Sequence, residues 1–396
     1  MKPERSAGMA AGATYDVAIV GGGLAGAALA VALADAHLSV ALIESAPPVA
    51  PAGWDARVYA ISPANVRFLE EIGIWQHLDA RRIAPVEAMQ VHGDAGGHLD
   101  FSAWNSGVEA LAWILEASLM QIELWQTARR QRHLTLFSPA RPVAASFGEA
   151  YARLNLDDGR AIDARLLVAA DGRDSWLRHA AGIEVGFLDY DHLGVVANFR
   201  CVRPHRHIAY QWFRADGILA YLPLPDDMIS IVWSTPTAHG RELLALAPEA
   251  FCARVAQAGQ HVLGDLELVT PPAAFALKLM RAPRMVGHRL ALIGDAAHAI
   301  HPLSGHGINL GFQDARELAQ ILRVKPAHID CGDALWLRRF ERARREEIVL
   351  LQSTTHALQR LFAPAGRPLV ALRNLGLSLT GQLPLVRHIL ARYAMG

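Results

Sequence analysis

Apolar positions in this chain fall into short runs separated by glycine, proline and acidic residues, and their order predicts an α/β fold. Tyr15-Asp-Val-Ala-Ile-Val20 is rich in β-branched residues and reads as a buried strand. It passes directly into Gly21-Gly-Gly-Leu-Ala-Gly26, and alanines dominate residues 25–36, a strong helix former. Residues 39–43 are the next strand, ending at Glu44, and residues 65–78 are helix-like. The same apolar run, closed by Gly or Asp, returns at residues 165–171 and 289–295. Between these lie β-type runs at residues 194–201, 207–213, 218–224 and 228–234. Pro225-Asp-Asp227 supplies a turn between the last two, so an antiparallel sheet is expected. A shorter insertion at residues 86–103 is expected to add strands to it. A helix begins near Ile308, and residues 333–362 are helix-like. Trp336, Phe340, Ile348 and Leu351 form a broad apolar face there, with Arg338, Arg339, Arg342, Arg344 and Arg345 on a basic one.

The strand-to-helix junctions carry the chemistry. Gly21 permits a tight turn, Gly23 lets backbone N–H groups approach a pyrophosphate, and Gly26 lets the helix pack closely on the sheet. The anion then sits on the positive end of the helix dipole. Glu44 follows at close to the expected ~20 residues, where a carboxylate accepts hydrogen bonds from a ribose diol. Strand, helix and acid together point to a dinucleotide. Arg57, in Asp55-Ala-Arg57, has a fork that matches diphosphate oxygens, with a surface salt bridge as the other reading. Asp171-Gly172 closes a strand where open α/β sheets bind ligands, although Asp-Gly is also a common turn. Gly294-Asp295 repeats the logic, and residues 304–311 can present several backbone N–H groups before a helix begins.

Composition narrows the partners. A chain of 396 residues is long enough for two domains or more. The hydrophobic fraction of 52% and mean hydropathy of +0.18 owe much to alanine. No apolar stretch reaches the ~18 to 20 residues of a membrane span. Residues 1–14 hold Lys2, Glu4 and Arg5 without the apolar core of a signal peptide, and read as a frayed tail. Cys201, Cys252 and Cys331 are odd in number and widely spaced, which fits a reducing cytoplasm rather than a disulfide framework. With 38 basic and 38 acidic side chains and no basic stripe, nucleic acid is not an expected partner. His298, His301 and His306 are neighbours, but their spacing matches no zinc signature, so no metal is expected.

These motifs together resemble the class A flavoprotein aromatic hydroxylases of the para-hydroxybenzoate hydroxylase type, and most closely the ubiquinone-biosynthesis hydroxylase family. The resemblance covers nearly the whole chain. It rests on the first glycine fingerprint, Asp55-Ala-Arg57 with Ala60, Asp171-Gly172 and the Gly294-Asp295 region. In the substrate half it rests on Pro204-His205, Ala209-Tyr-Gln211, Phe213 and residues 217–224. It implies tightly bound FAD, with Glu44 on the adenosine ribose and Gly21, Gly23, Gly26 and Arg57 near the pyrophosphate. It further implies Asp295, beside Gly294, on the ribityl and pyrophosphate region. Pro302, Gly305, His306, Gly307, Ile308 and Asn309 would then lie about the isoalloxazine ring. Asp171 and Gly172 would serve both FAD and NADPH or NADH. Three positions depart from the family: His306 where glutamine is frequent, Ala117 where asparagine is, and Ala276 where proline is. His306 is either a hydrogen-bond donor that titrates near neutral pH beside the flavin or an equivalent polar filler.

The implied fold is α/β. A Rossmann-like FAD-binding domain of the glutathione-reductase type (1–82, 104–182 and 283–330) is interrupted by an α+β substrate domain with an antiparallel sheet (83–103 and 183–282). A C-terminal helical region spans 331–396. The implied reaction is hydroxylation of a polyprenylated phenol with NAD(P)H and dioxygen, in which the flavin carries the chemistry. No catalytic side chain is identified, although His205, Tyr210 and His301 are candidates for a base that deprotonates the phenol. Trp212 and Tyr221 are expected pocket walls, against the common role of strand aromatics as plain core. A second glycine fingerprint is missing, which fits transient nicotinamide docking. The rivals are a dehydrogenase or prenyl reductase of the same fold and a non-catalytic FAD-bearing scaffold of a biosynthetic complex. A halogenase fits less well, because no Trp-x-Trp-x-Ile-Pro stretch occurs. Beyond Leu361 there is no Asp or Glu, while Arg367, Arg373, Arg387 and Arg392 stand among leucines. That tail reads either as a helical cap or as a peripheral contact with the inner face of the membrane for an otherwise cytoplasmic protein.

Overall fold

The glycine-terminated apolar runs assemble into one parallel sheet. In the computed structural model, which describes residues 13–299 and 307–361, β1 (Ala13–Val20) leads into α1 (Leu24–Ala32) and β2 (Val40–Ile43). Val17 to Val20 and all of β2 are buried, as strands covered on both faces must be. The chain then leaves the sheet for β3 (Val58–Ile61), α2 (Pro63–Glu71), β4 (Ala84–Val86), β5 (Ala88–His92), β6 (His98–Ser102), the single turn α3 (Ala103–Ser106) and β7 (Ala112–Glu116). It returns through α4 (Ala117–Arg130) and β8 (Leu134–Phe137). An antiparallel flap of β9 (Pro142–Phe147) and β10 (Ala152–Leu156) precedes the central β11 (Ala161–Ala169) and the short α5 (Trp176–Ala180).

A meander follows: β12 (Phe187–Cys201), β13 (Ile208–Arg214), β14 (Gly217–Leu224) and β15 (Met228–Pro236). It continues through α6 (Thr237–Leu244), α7 (Pro248–Ala258), β16 (Leu266–Leu268) and β17 (Ala273–Arg281). The described chain ends with β18 (Val286–Gly287), β19 (Leu290–Leu292), β20 (His298–Ala299), α8 (Gly307–Arg323) and α9 (Ala334–Leu361).

Among the described residues the first sheet runs β18-β19-β11-β1-β2-β8, with β10 and β9 extending from β11. Strands β19, β11, β1, β2 and β8 are parallel. Register aligns their carboxyl ends: Val20 stands beside Ala169 and Ile43, and Ala169 beside Leu292. The turns at Gly21, Glu44, Asp171 and Gly294 therefore leave one edge of one sheet, although the sequence scatters them along most of its length.

The second sheet runs β20-β17-β12-β15-β14-β13-β5-β6, with β16 on β12. The hairpin β5–β6 reaches it by parallel pairing of β5 with β13, whereas β4 pairs with β7 in a separate three-stranded sheet with β3. One face of the large sheet packs on α6 and α7 through Leu219, Ile231, Leu243, Phe251 and Val255. The other face meets the three-stranded sheet through Ala209, Leu224, Met228, Val86 and Ile114.

Candidate functional site

At the carboxyl edge of the parallel sheet the three motif glycines differ in what holds them. Gly21 has φ +104°, and a Cβ there would stand 2.3 Å from the Ala170 carbonyl oxygen. At Gly26 a Cβ would lie 2.0 Å from the Gly21 oxygen. Packing of the protein on itself thus excludes side chains at both. Gly23 is different: a Cβ there meets nothing within 4 Å. It is the N-cap of α1 and makes no side-chain cap bond, so it leaves open space over the first N–H groups of that helix. Glu44 closes the other side. One carboxylate oxygen accepts from the Gly22 N–H at 2.7 Å, and the other accepts from Ser45 Oγ at 2.9 Å and the Ala46 N–H at 3.0 Å.

The second half of the site comes from far along the chain. Gly294 has φ +57°, and Cβ atoms built at Gly294 or Gly311 would each stand 3.3 Å from the Ala25 Cβ. The amino ends of α1 and α8 and the turn at residues 294–296 therefore lock together. Asp295 lies on that turn. Its surface is open to solvent, but it sits in a crowded cleft whose walls displace water. This desolvation pushes its carboxyl pKa up, against His298, Arg173 and Arg57. Burial also pushes the Tyr59 phenol up, opposed first by Arg57, which attracts it and hydrogen-bonds to it. The Arg57 guanidinium thus stands beside both groups, and among the described residues it makes no ion pair.

Beneath the turn lies a buried polar group that sequence reasoning missed. Asp314 on α8 is fully buried. Its Oδ2 accepts from the Gly294 N–H at 2.9 Å and sits 2.6 Å from His298 Nε2, while its Oδ1 accepts from Arg344 Nε at 2.7 Å. Arg344 also binds Glu347 and Gln313. Burial works to raise the Asp314 pKa, but His298 and Arg344 outweigh it and hold the carboxyl below its ordinary value. A signal was present: Asp314 falls on the buried face of an amphipathic helix, where a carboxylate needs a partner.

The remaining expected residues divide by where their polar atoms go. Asp171 Oδ1 accepts from Ser175 Oγ at 2.5 Å and Oδ2 from the Leu177 N–H at 3.0 Å, so the carboxylate is tied to the start of α5. Gly172 has φ +85° with open space around it. Gly307 and Ile308 open α8. The Asn309 amide turns to the β3–α2 corner: Oδ1 accepts from the Ser62 N–H at 3.0 Å and Asn65 Nδ2 at 2.9 Å, and Nδ2 donates to the Ala60 oxygen at 2.8 Å. His301, Pro302, Gly305 and His306 lie outside the described residues.

Four expectations in the substrate half are corrected. His205 is buried, its Nδ1 accepting from the His207 N–H at 3.0 Å and its Nε2 donating to the Leu224 oxygen at 2.8 Å. Both nitrogens are occupied and burial lowers its pKa, so no base is offered there. Tyr210, Trp212 and Tyr221 all face α6 and α7 rather than the cofactor side. Tyr210 stacks on Trp212 at 5.7 Å, and the Tyr221 hydroxyl donates to the Val255 oxygen at 2.6 Å. These aromatics fill a core, worth roughly 1.5–3 kcal/mol per large apolar side chain, and the opposite face carries Ala209, Gln211, Ala220, Leu222 and Val232. That opposite face is tied to the cofactor body, since Asn198 Nδ2 donates to the Asp55 oxygen at 2.9 Å.

The residues present fit a flavin dinucleotide: an open glycine cradle at a helix amino end, a carboxylate fixed beside it at Glu44, and Arg57 and Asp295 close together in one cleft. Comparison with known proteins agrees. The family described as "FAD binding domain" matches residues 14–326. The chain is 35% identical to ubiquinone hydroxylase UbiL of Rhodospirillum rubrum, over 96% of this chain and 89% of that one. It is 33% identical to 3-demethoxyubiquinol 3-hydroxylase of Escherichia coli, over 96% and 98% respectively. The structure of Pseudomonas aeruginosa PqsL in complex with 2-aminobenzoylacetate superposes with a TM-score of 0.77 at 23% identity, covering 92% of this chain and 99% of that one, and shares the fold. The chain belongs to the FAD binding domain family, and within it to the FAD-dependent hydroxylases of ubiquinone biosynthesis.

Proposed function

We propose that this protein hydroxylates the aromatic ring of a polyprenylated phenol on the route to ubiquinone, using NAD(P)H and dioxygen. The observation that carries the reading is the meeting of two surfaces. The carboxyl edge of the parallel sheet presents a dinucleotide cradle, and the face of the antiparallel sheet opposite α6 and α7 is tied to the same body through Asn198 and Asp55. Bound FAD supplies hydride acceptance and oxygen activation. The chain's own residues bind and orient. The α1 amino end and Arg57 take the pyrophosphate, Glu44 the adenosine ribose and Asp295 the ribityl side. Ala220, Leu222 and Val232 give the ring an apolar, water-excluding floor. Residues 1–82, 104–182 and 283–330 form the cofactor body in this reading, 83–103 and 183–282 the substrate body, and 331–396 the C-terminal helical region. Among the described residues no helix is long and apolar enough to cross a membrane. The basic tail beyond Leu361 would bring the site to the lipid that holds a prenylated substrate.

Mass spectrometry tests the reading directly. Purified protein with FAD, NADPH, isotopically heavy dioxygen and a short-tailed polyprenylphenol should place one heavy oxygen atom on the ring. NADPH consumption without labelled product would favour a dehydrogenase or prenyl reductase of the same fold; no consumption would favour a scaffold.

A further inference from the structure

The two faces of the antiparallel sheet are unequally covered. In its central strands Leu219, Tyr221, Ile231 and Trp233 are at most 1% exposed against α6 and α7, whereas Ala220, Leu222 and Val232, pointing the other way, are only half-buried. Strand pairing lines up Val196, Val232, Ala220 and Gln211 in one row across β12, β15, β14 and β13, and puts Asn198 beside Ser230 in the next. One packing cluster holds Ala209, Leu224 and Met228 at one side of this row, and another holds Phe213 and Ile218 at the other side. The row belongs to neither.

Its polar end is unusual. Asn198 Oδ1 and Ser230 Oγ are buried and have no hydrogen-bond partner among the described residues. Asn198 cannot turn away, because its Nδ2 already donates to the Asp55 oxygen. Asp55 in turn leads to Arg57, which faces Asp295, so this polar end lies on the cofactor side of the sheet. At the other end of the row, on β13, Gln211 is 7% exposed. Buried acceptors and hydroxyls left unpartnered are costly in a protein interior, and a ligand that supplies the missing partners relieves that cost.

We propose that Asn198, Ser230 and Gln211 bind the oxygen substituents of the substrate ring and so set which ring carbon is presented for hydroxylation. Asn198 Oδ1 accepts the phenol O–H, the Ser230 hydroxyl pairs with the same oxygen, and the Gln211 amide takes a second oxygen substituent. Val196, Val232 and Ala220 lie under the apolar face of the ring. This assignment rests on the function proposed above and names the recognition elements within it.

Binding tests it apart from turnover. A short-tailed polyprenylphenol is titrated into FAD-loaded protein and read by perturbation of the flavin absorbance, alongside its O-methyl ether. Ser230→Ala and Gln211→Leu lie on separate strands, so misfolding of one leaves the other as the test. Each should keep its FAD content and Tm and weaken phenol binding about tenfold. The parent protein should itself bind the ether more weakly than the phenol, because the ether has no hydrogen to give to Asn198 Oδ1. Unchanged phenol binding in both variants, or equal binding of phenol and ether by the parent protein, would overturn the assignment. Phenol binding by the parent protein without ring oxygenation breaks the functional reading and leaves the assignment standing. Binding of neither ligand by the parent protein overturns both.

Discussion

Gly23 and Gly26 share one turn, yet a single added methyl group should act on different properties at each. Gly23→Ala places a methyl in open space, so the apoprotein should unfold within about 0.5 kcal/mol of the parent. The methyl instead occupies the cradle, and FAD affinity should fall about tenfold or more in a fluorescence titration. Gly26→Ala drives a methyl into the Gly21 oxygen and should cost about 1–3 kcal/mol in urea unfolding of the apoprotein itself. If the two variants lost FAD and stability in the same proportion, the cradle at Gly23 would be refuted. At Asp314 the argument is electrostatic. Arg344→Met leaves a buried carboxylate with only His298 and the Gly294 N–H, and should cost about 3–5 kcal/mol. The sign follows from the depressed folded pKa. The stability from Asp314 is fully present above the ordinary carboxylate value of ~3.9 and is lost as pH falls through the lower folded value. Unfolding curves of parent and Arg344→Met should therefore stay apart down to about pH 4 and converge only in stronger acid. Convergence at neutral pH would remove Asp314 from the account.

At the scale of elements, the strands themselves were legible and the side each strand presents was not. Alternation in β13 and β14 separates Tyr210, Trp212, Leu219 and Tyr221 from Ala209, Gln211, Ala220 and Leu222. Period two says that these sets face opposite ways, but not which of them meets a helix. The aromatic set was the expected pocket and proved to be the core under α6 and α7. The helix α5 gives a second case. Asp171 stands at a strand end, where a ligand contact is expected, and both its oxygens accept from the start of α5. Asp171→Ala should speed hydrogen exchange in residues 176–180 and cost about 1 kcal/mol, as loss of a helix cap does. Its effect on FAD affinity should be smaller than that of Gly23→Ala. A larger effect would restore Asp171 as a direct cofactor contact.

At the scale of the molecule, the cofactor site is closed by segments from both ends of the chain, and α9 reaches back to it through Arg344 and Asp314. Removal of residues 363–396, a stretch rich in Arg and lacking Asp and Glu, should leave FAD content unchanged while abolishing cosedimentation with anionic liposomes. Equal cosedimentation of both forms would assign lipid contact elsewhere or exclude it. The sequence by itself determined the parallel strands, the glycine turns, the acid at Glu44 and the meander of the second sheet. Each of these follows from local periodicity or from a backbone conformation that only certain residues adopt. Only the tertiary structure decided that Ala25, Gly294 and Gly311 touch, that Asp314 is shared by His298 and Arg344, and that Tyr210, Trp212 and Tyr221 lie under α6 and α7. Those outcomes depend on which surface each element buries against another. That is a property of the packed whole, and no window of neighbouring residues contains it.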